Sequence, residues 1–189
     1  MQLIENATSQ KLRGAYYTPP VIARFILQWG INGSSDLNIL EPSCGDGVFL
    51  ECIANDKMLY NSVTAVEYEE EEAMKARAIT LHDSEVVNAD FHRFCLDTDK
   101  RFNLVVGNPP FIRYQYYNPE LADEIFKRSK LKRTKLTNAW VTFVVGCSQL
   151  LTETGKMGFV IPSELLMVKY AQQLRQYLAK NFNKINIIS

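Results

Sequence analysis

Phe102-Asn103-Leu104-Val105-Val106-Gly107-Asn108-Pro109-Pro110-Phe111 is the stretch that decides how this chain is read. Its first six residues are a short, nearly continuous apolar run, as expected of a strand buried on both faces. The run stops at Asn108-Pro109-Pro110-Phe111. Two prolines lock φ and remove two N–H donors. The Pro109 carbonyl is then a fixed acceptor beside the Asn108 side-chain oxygen. Two acceptors on one spot suit a group with two donors, an –NH2. Phe111 offers a flat face to the planar group that carries it. The competing reading of these four residues is a plain Pro-rich turn after a strand.

Outward from this strand the same pattern recurs. Asn38–Glu41, Ser62–Glu67, Glu85–Asn88, Met157–Ile161 and Lys184–Ile188 also read as strands. Helical patterns lie between them, at Val48–Ala54, Glu70–Thr80, and Ala139–Leu151 with a stop at Gly155. Continuous apolar strands alternating with helices predict an α/β fold, a mostly parallel sheet covered by helices on both faces. Such sheets bind ligands at the carboxyl ends of the strands, at the topological switch point. The informative residues should therefore stand at strand ends.

Composition fits one domain over residues 1–189: 47% hydrophobic and 22% charged residues. No apolar run reaches the roughly 18–20 residues that cross a bilayer, and no signal-peptide core opens the chain. The expectation is a cytoplasmic protein without a membrane partner. Cys44, Cys52, Cys95 and Cys147 show no metal-ligand spacing with each other or with His82 and His92, so they read as reduced and packed. Lys plus Arg equals Asp plus Glu, 21 each, which argues against a stand-alone nucleic-acid binder. The charge is uneven, however. Five carboxylates fall within Glu67–Glu72 and six cations within Lys127–Lys135. Glu69–Glu72 reads as a solvated helix start, where carboxylates suit the dipole.

The strand ends hold a constellation. After the first strand, Glu41-Pro42-Ser43-Cys44-Gly45-Asp46-Gly47 opens a helix. Gly45 and Gly47 permit a tight turn and close backbone approach. Glu41 and Asp46 would repel a pyrophosphate, so an ammonium or sulfonium ligand fits better. Glu67 ends the second strand about twenty residues after Asp46, where an acid accepts hydrogen bonds from ribose hydroxyls. Tyr68 can pack on an adenine. Asp90-Phe91 follows the third strand, a carboxylate for an adenine amino group and a ring for its face. The alternative for Asp90 is a helix N-cap. Adenosine with a cationic, phosphate-free tail describes S-adenosylmethionine.

Gly14-Ala15-Tyr16-Tyr17-Thr18-Pro19-Pro20, Glu41–Gly47, Glu67, Asp90-Phe91, Asn108–Phe111 and Gly155–Ser163 stand in the order seen in amino-methyltransferases of restriction–modification systems. The chain resembles the catalytic region of gamma-type N6-adenine DNA methyltransferases of the TaqI and Eco57I kinds, from about Lys11 to Leu166. The resemblance implies the Rossmann-like fold of class I S-adenosylmethionine-dependent methyltransferases, with an incomplete C-terminal strand hairpin. It implies an N-terminal cofactor-closing segment, residues 1–35, ahead of a core at 36–189. In it Tyr17 and Thr18 close over the methionine end, which Ser43 and Gly45 line. It makes Asn108, Pro109, Pro110 and Phe111 catalytic, with Asn108 also at the cofactor. Double-stranded DNA with a flipped adenine is the implied partner. A target recognition domain or subunit is expected beyond Ser189.

Alternatives remain. The same turn occurs in RNA adenine and protein glutamine methyltransferases, and cytosine N4 presents the same two donors. An inactive cofactor-binding subunit is the non-enzymatic reading. The Tyr16-Tyr17-Thr18-Pro19-Pro20 element favours DNA.

Overall fold

The computed structural model describes residues 18–111, 119–132, 138–168 and 171–188. Strands β1 (Asn38–Glu41), β2 (Ser62–Glu67), β3 (Ser84–Asn88), β4 (Phe102–Gly107) and β5 (Leu151–Phe159) form one sheet in the order β3-β2-β1-β4-β5. Every pairing in it is parallel. Around it lie α1 (Pro20–Ile31), α2 (Val48–Asn55), α3 (Glu70–Arg77), α4 (Phe91–Asp97), α5 (Pro119–Arg128), α6 (Ala139–Leu150), α7 (Glu164–Met167) and α8 (Gln172–Asn181).

Strand alternation sends neighbouring apolar residues to opposite faces. Ile39, Val63, Ala65, Leu104 and Val106 meet α1 and α2 on one face. Leu40, Val66 and Val105 meet α4, α5 and α6 on the other. Residues 139–147 of α6 are all buried, as is Leu150. A helix apolar all round belongs inside the fold, and α6 packs against α4, α5 and β5. The helix α1 starts with a proline in its first turn and stops at Asn32, in the left-handed region at φ 43°. It lies so close to β4 that a Cβ on Gly30 would fall 2.5 Å from Leu104 Cδ1. The expected cofactor-closing segment 1–35 therefore supplies, through α1, part of the core itself.

Two expectations need correction. Lys184–Ile188 is not a strand: it pairs with nothing among the described residues, and Ile185, Ile187 and Ile188 are exposed. Strand-like composition does not make a strand without a ladder partner. The fifth strand begins at Leu151 rather than Met157, directly where α6, expected over Ala139–Leu151, stops at Leu150. The chain passes directly from helix to strand. Its register against β4 jumps from Phe102↔Leu151 to Leu104↔Lys156. Gly155 sits in this irregularity, where a Cβ would lie 2.9 Å from Leu151 Cδ2 and 3.0 Å from the Phe102 carbonyl oxygen. All four cysteines are free and buried.

Candidate active site

The sheet order places the switch point between β1 and β4. From β1 the chain builds outward through β2 and β3, then crosses back to β4 on the other side of β1. The loop after β1 and the turn after β4 are thus neighbours at the carboxyl ends of the strands, where such sheets form their ligand crevice, with Glu67 ending β2 and Asp90 following β3. That loop and turn approach closely. A Cβ on Gly107 would lie 3.2 Å from Pro42 Cδ. The Ser43 hydroxyl donates a long hydrogen bond, 3.5 Å, to the Asn108 carbonyl.

The β1 loop is held from below. Cys44 N donates to the Val66 carbonyl at 3.0 Å, and Gly47 N to the Cys44 carbonyl at 2.9 Å. Gly45 and Gly47 take φ +55° and +100°, values that favour glycine. A Cβ on Gly47 would also meet Ile79 Cδ1 at 2.5 Å, whereas Gly45 faces open space. Glu67 ties this loop to the next one. Its Oε2 accepts from Gly45 N at 2.8 Å and its Oε1 from Glu69 N at 2.9 Å. This brace was not foreseen from sequence, because its donors are backbone amides.

The crevice is strongly acidic. Burial, then the charges of Glu67 and Asp46, push the Glu41 carboxyl well above its ordinary value. Its Oε2 is buried without a hydrogen-bond partner. Burial also raises Glu67, against the opposing pull of the Glu69, Gly45 and Tyr68 amides. Asp46 is raised by burial, then by Glu72 and Glu51. Carboxyls pushed toward their neutral form by burial and mutual repulsion regain their charge beside a cationic ligand. A phosphate would meet repulsion there.

Asp90 behaves as an N-cap as well as a site candidate. Its Oδ1 accepts from His92 N at 2.7 Å and lies 3.0 Å from His92 Nδ1. Burial would raise its carboxyl, but the His92 ring and the His92 and Arg93 amides hold it below the ordinary range. Phe91 is 2% exposed, its ring stacked on Phe143 at 4.6 Å. It is embedded in the core, while Tyr68 stands 64% exposed at the crevice side of β2. Thr18 is buried. Pro109 is buried, and Asn108, Pro110 and Phe111 are half-buried, Phe111 against the core cluster around α6. Tyr17 lies outside the described residues, as do 112–118 and 133–137 of the aromatic and basic stretch.

Glu41 supplies a test that needs no ligand. A carboxyl raised in the folded state stabilises the protein below its unfolded pKa and ceases to do so as pH rises through the folded value. Glu41→Gln is expected to raise the melting temperature at pH 8 and to change it little at pH 4. Thermal unfolding at the two pH values checks this. An equal shift at both would disconnect Glu41 from the acidic cluster.

Residues 48–189 match the family model described as Eco57I restriction-modification methylase. The Type II methyltransferase M.BanIII of Aneurinibacillus aneurinilyticus is 28% identical over 214 residues, covering 97% of this chain and 36% of that protein. The type I restriction-modification system methyltransferase subunit from Streptococcus thermophilus superposes with a TM-score of 0.73 at 19% identity, over 89% of this chain and 39% of that one. An S-adenosylmethionine-dependent methyltransferase from Clostridium acetobutylicum gives 0.52 at 16% identity, over 89% and 60%. Both structures share the Rossmann-like α/β fold seen here. The chain spans about a third of the length of the Type II methyltransferases M.BstVI, M.BanIII and M.AccI, 32% to 38%.

Proposed function

The chain belongs to the Eco57I restriction-modification methylase family, and on that premise we propose that it transfers a methyl group from S-adenosylmethionine to the N6 amino group of adenine in DNA. One observation carries this reading: the fold sets an acidic, cation-suited crevice directly against the Asn108–Phe111 turn, across the switch point. Glu41, Asp46 and Glu67 suit the charged end of the cofactor, with Thr18, Ser43, Gly45 and Gly47 around it. Glu67, Tyr68 and Asp90 suit its ribose and adenine, with Phe91 packed behind. The cofactor, when bound, supplies an electrophilic methyl group on a sulfonium.

The protein's own contribution is positioning and electrostatics. The adenine amine is a weak nucleophile because its lone pair is delocalised into the ring. The Asn108 amide oxygen and the Pro109 carbonyl accept its two hydrogens and favour a tetrahedral nitrogen. Pro110 stiffens the turn, and Phe111 offers its ring to the base. A base in a duplex must leave the stack to reach this turn, so the target adenine is flipped. A recognition domain following Ser189 would choose the sequence. The Tyr16-Tyr17-Thr18-Pro19-Pro20 element and the Type II relatives favour DNA over RNA or a glutamine side chain. No helix among the described residues is long and apolar enough to cross a membrane.

Contact with DNA is expected from the basic stretch. Within α5, Glu124 lies 3.6 Å from Lys127 and 3.9 Å from Arg128, which tempers both. Lys130 and Lys132 are exposed. The chain should hold DNA without sequence preference, and weaken steeply as salt rises from about 50 to 200 mM. Neutralising Lys130, Lys132 and Arg133 together should flatten that dependence in a fluorescence-anisotropy titration. An unchanged slope would remove this stretch from the DNA path.

A further inference from the structure

His92 is a buried titratable side chain for which the proposed chemistry has no use. It is 1% exposed, in the first turn of α4. Its ring stands edge-on to Phe143, with centroids 5.3 Å apart at 77°, and borders Phe91 at 6.0 Å. Phe91 and Phe143 are themselves stacked. These two packed rings fix the orientation of the imidazole.

That orientation aims Nδ1 at Asp90 Oδ1, 3.0 Å away, where the His92 amide also arrives at 2.7 Å. A carboxylate only accepts, so the ring nitrogen facing it carries its proton. The His92 ring and amide meet at Oδ1, and the Arg93 amide also holds the carboxylate. A carboxylate has about four acceptor sites, so this one, on a side chain 19% exposed, keeps capacity for a ligand. Asp90 is thereby held as an ionised acceptor, in keeping with its lowered pKa despite burial.

We propose that His92 is a positioning residue which fixes the Asp90 carboxylate as a pure acceptor, and so sets the preference of the cofactor site for adenine over hypoxanthine. The proposal rests on the reading that Asp90 meets the cofactor's adenine amino group. Hypoxanthine carries an oxygen where adenine carries that amine. A fixed carboxylate rejects it, whereas a carboxyl that can turn or take up a proton tolerates it.

Calorimetric titration with S-adenosylhomocysteine and S-inosylhomocysteine tests this without catalysis. The wild-type chain should prefer the adenosyl compound. His92→Gln, whose amide cannot reach the Nδ1 position, should lose about tenfold or more of that preference, the scale of one charged hydrogen bond. His92→Asn places its amide nitrogen where Nδ1 was and should retain the preference. Asp90→Asn presents a donor and should reverse it. A folded His92→Gln with wild-type preference would overturn the role of His92 alone. Wild-type preference in Asp90→Asn, or none in the wild type, would overturn the placement of adenine and the proposal with it. Should His92→Gln not fold, His92→Asn decides the matter, and a collapsed preference there also counts against the proposal.

Discussion

Asn108→Ala is expected to lower methyl transfer by about a hundredfold or more while leaving S-adenosylmethionine affinity within a few fold. The reason is placement. Asn108 follows β4 directly, and its main chain is tied to the β1 loop through Ser43 Oγ, at 3.5 Å from the Asn108 carbonyl. The substitution leaves that carbonyl and both prolines intact and removes only the amide. Loss of one preorganised polar group at a reacting centre typically costs about 10²–10³ in rate. Single-turnover transfer of a labelled methyl group, paired with a binding titration, separates the two quantities. A parallel fall in affinity would mean that Asn108 serves the cofactor and not the target amine.

Glu67→Ala should have the larger effect on binding. Its carboxylate braces the Gly45 and Glu69 amides at 2.8 and 2.9 Å. In the proposed complex it also faces the ribose hydroxyls. Charge-assisted bonds of this kind are worth about 1.5–3 kcal/mol, or roughly ten- to a hundredfold in affinity. Part of the loss should arise from a slackened β1 loop. Glu67→Gln keeps one acceptor oxygen and should fall between wild type and Glu67→Ala. Equal affinities across the three proteins, measured calorimetrically, would remove Glu67 from the site.

β1, β2 and β4 were legible because each is a short, mostly apolar run closed by a turn, and parallel strands buried on both faces advertise themselves in this way; the exposed edge strand β3 was marked only by Val86-Val87. The start of β5 was not legible. Leu151-Thr152-Glu153-Thr154-Gly155 has the polarity of a turn, and only its pairing with β4 draws it into the sheet. Lys184–Ile188 misled in the opposite direction, with β-branched residues and no partner. Spacing along the sequence put Glu67, Asp90 and Asn108 at or just after strand ends, and the sheet holds them there. Spacing could not show that Glu67 is braced by backbone amides, or that Phe91 lies buried against Phe143 on α6. The Gly45–Glu67 and Phe91–Phe143 contacts link residues far apart in the chain. The role of His92 was hidden for a related reason: a histidine after Asp-Phe carries no motif, and its meaning comes from the rings that lock it.

The most direct test of the central claim is nucleoside mass spectrometry of DNA incubated with the chain and trideuteromethyl-labelled S-adenosylmethionine. A duplex with mismatched adenines lowers the cost of extruding the base. The account predicts slow, sequence-indifferent appearance of labelled N6-methyladenine, lost in Asn108→Ala. Label on cytosine N4, or no label on adenine at a cofactor concentration that saturates binding, would contradict it.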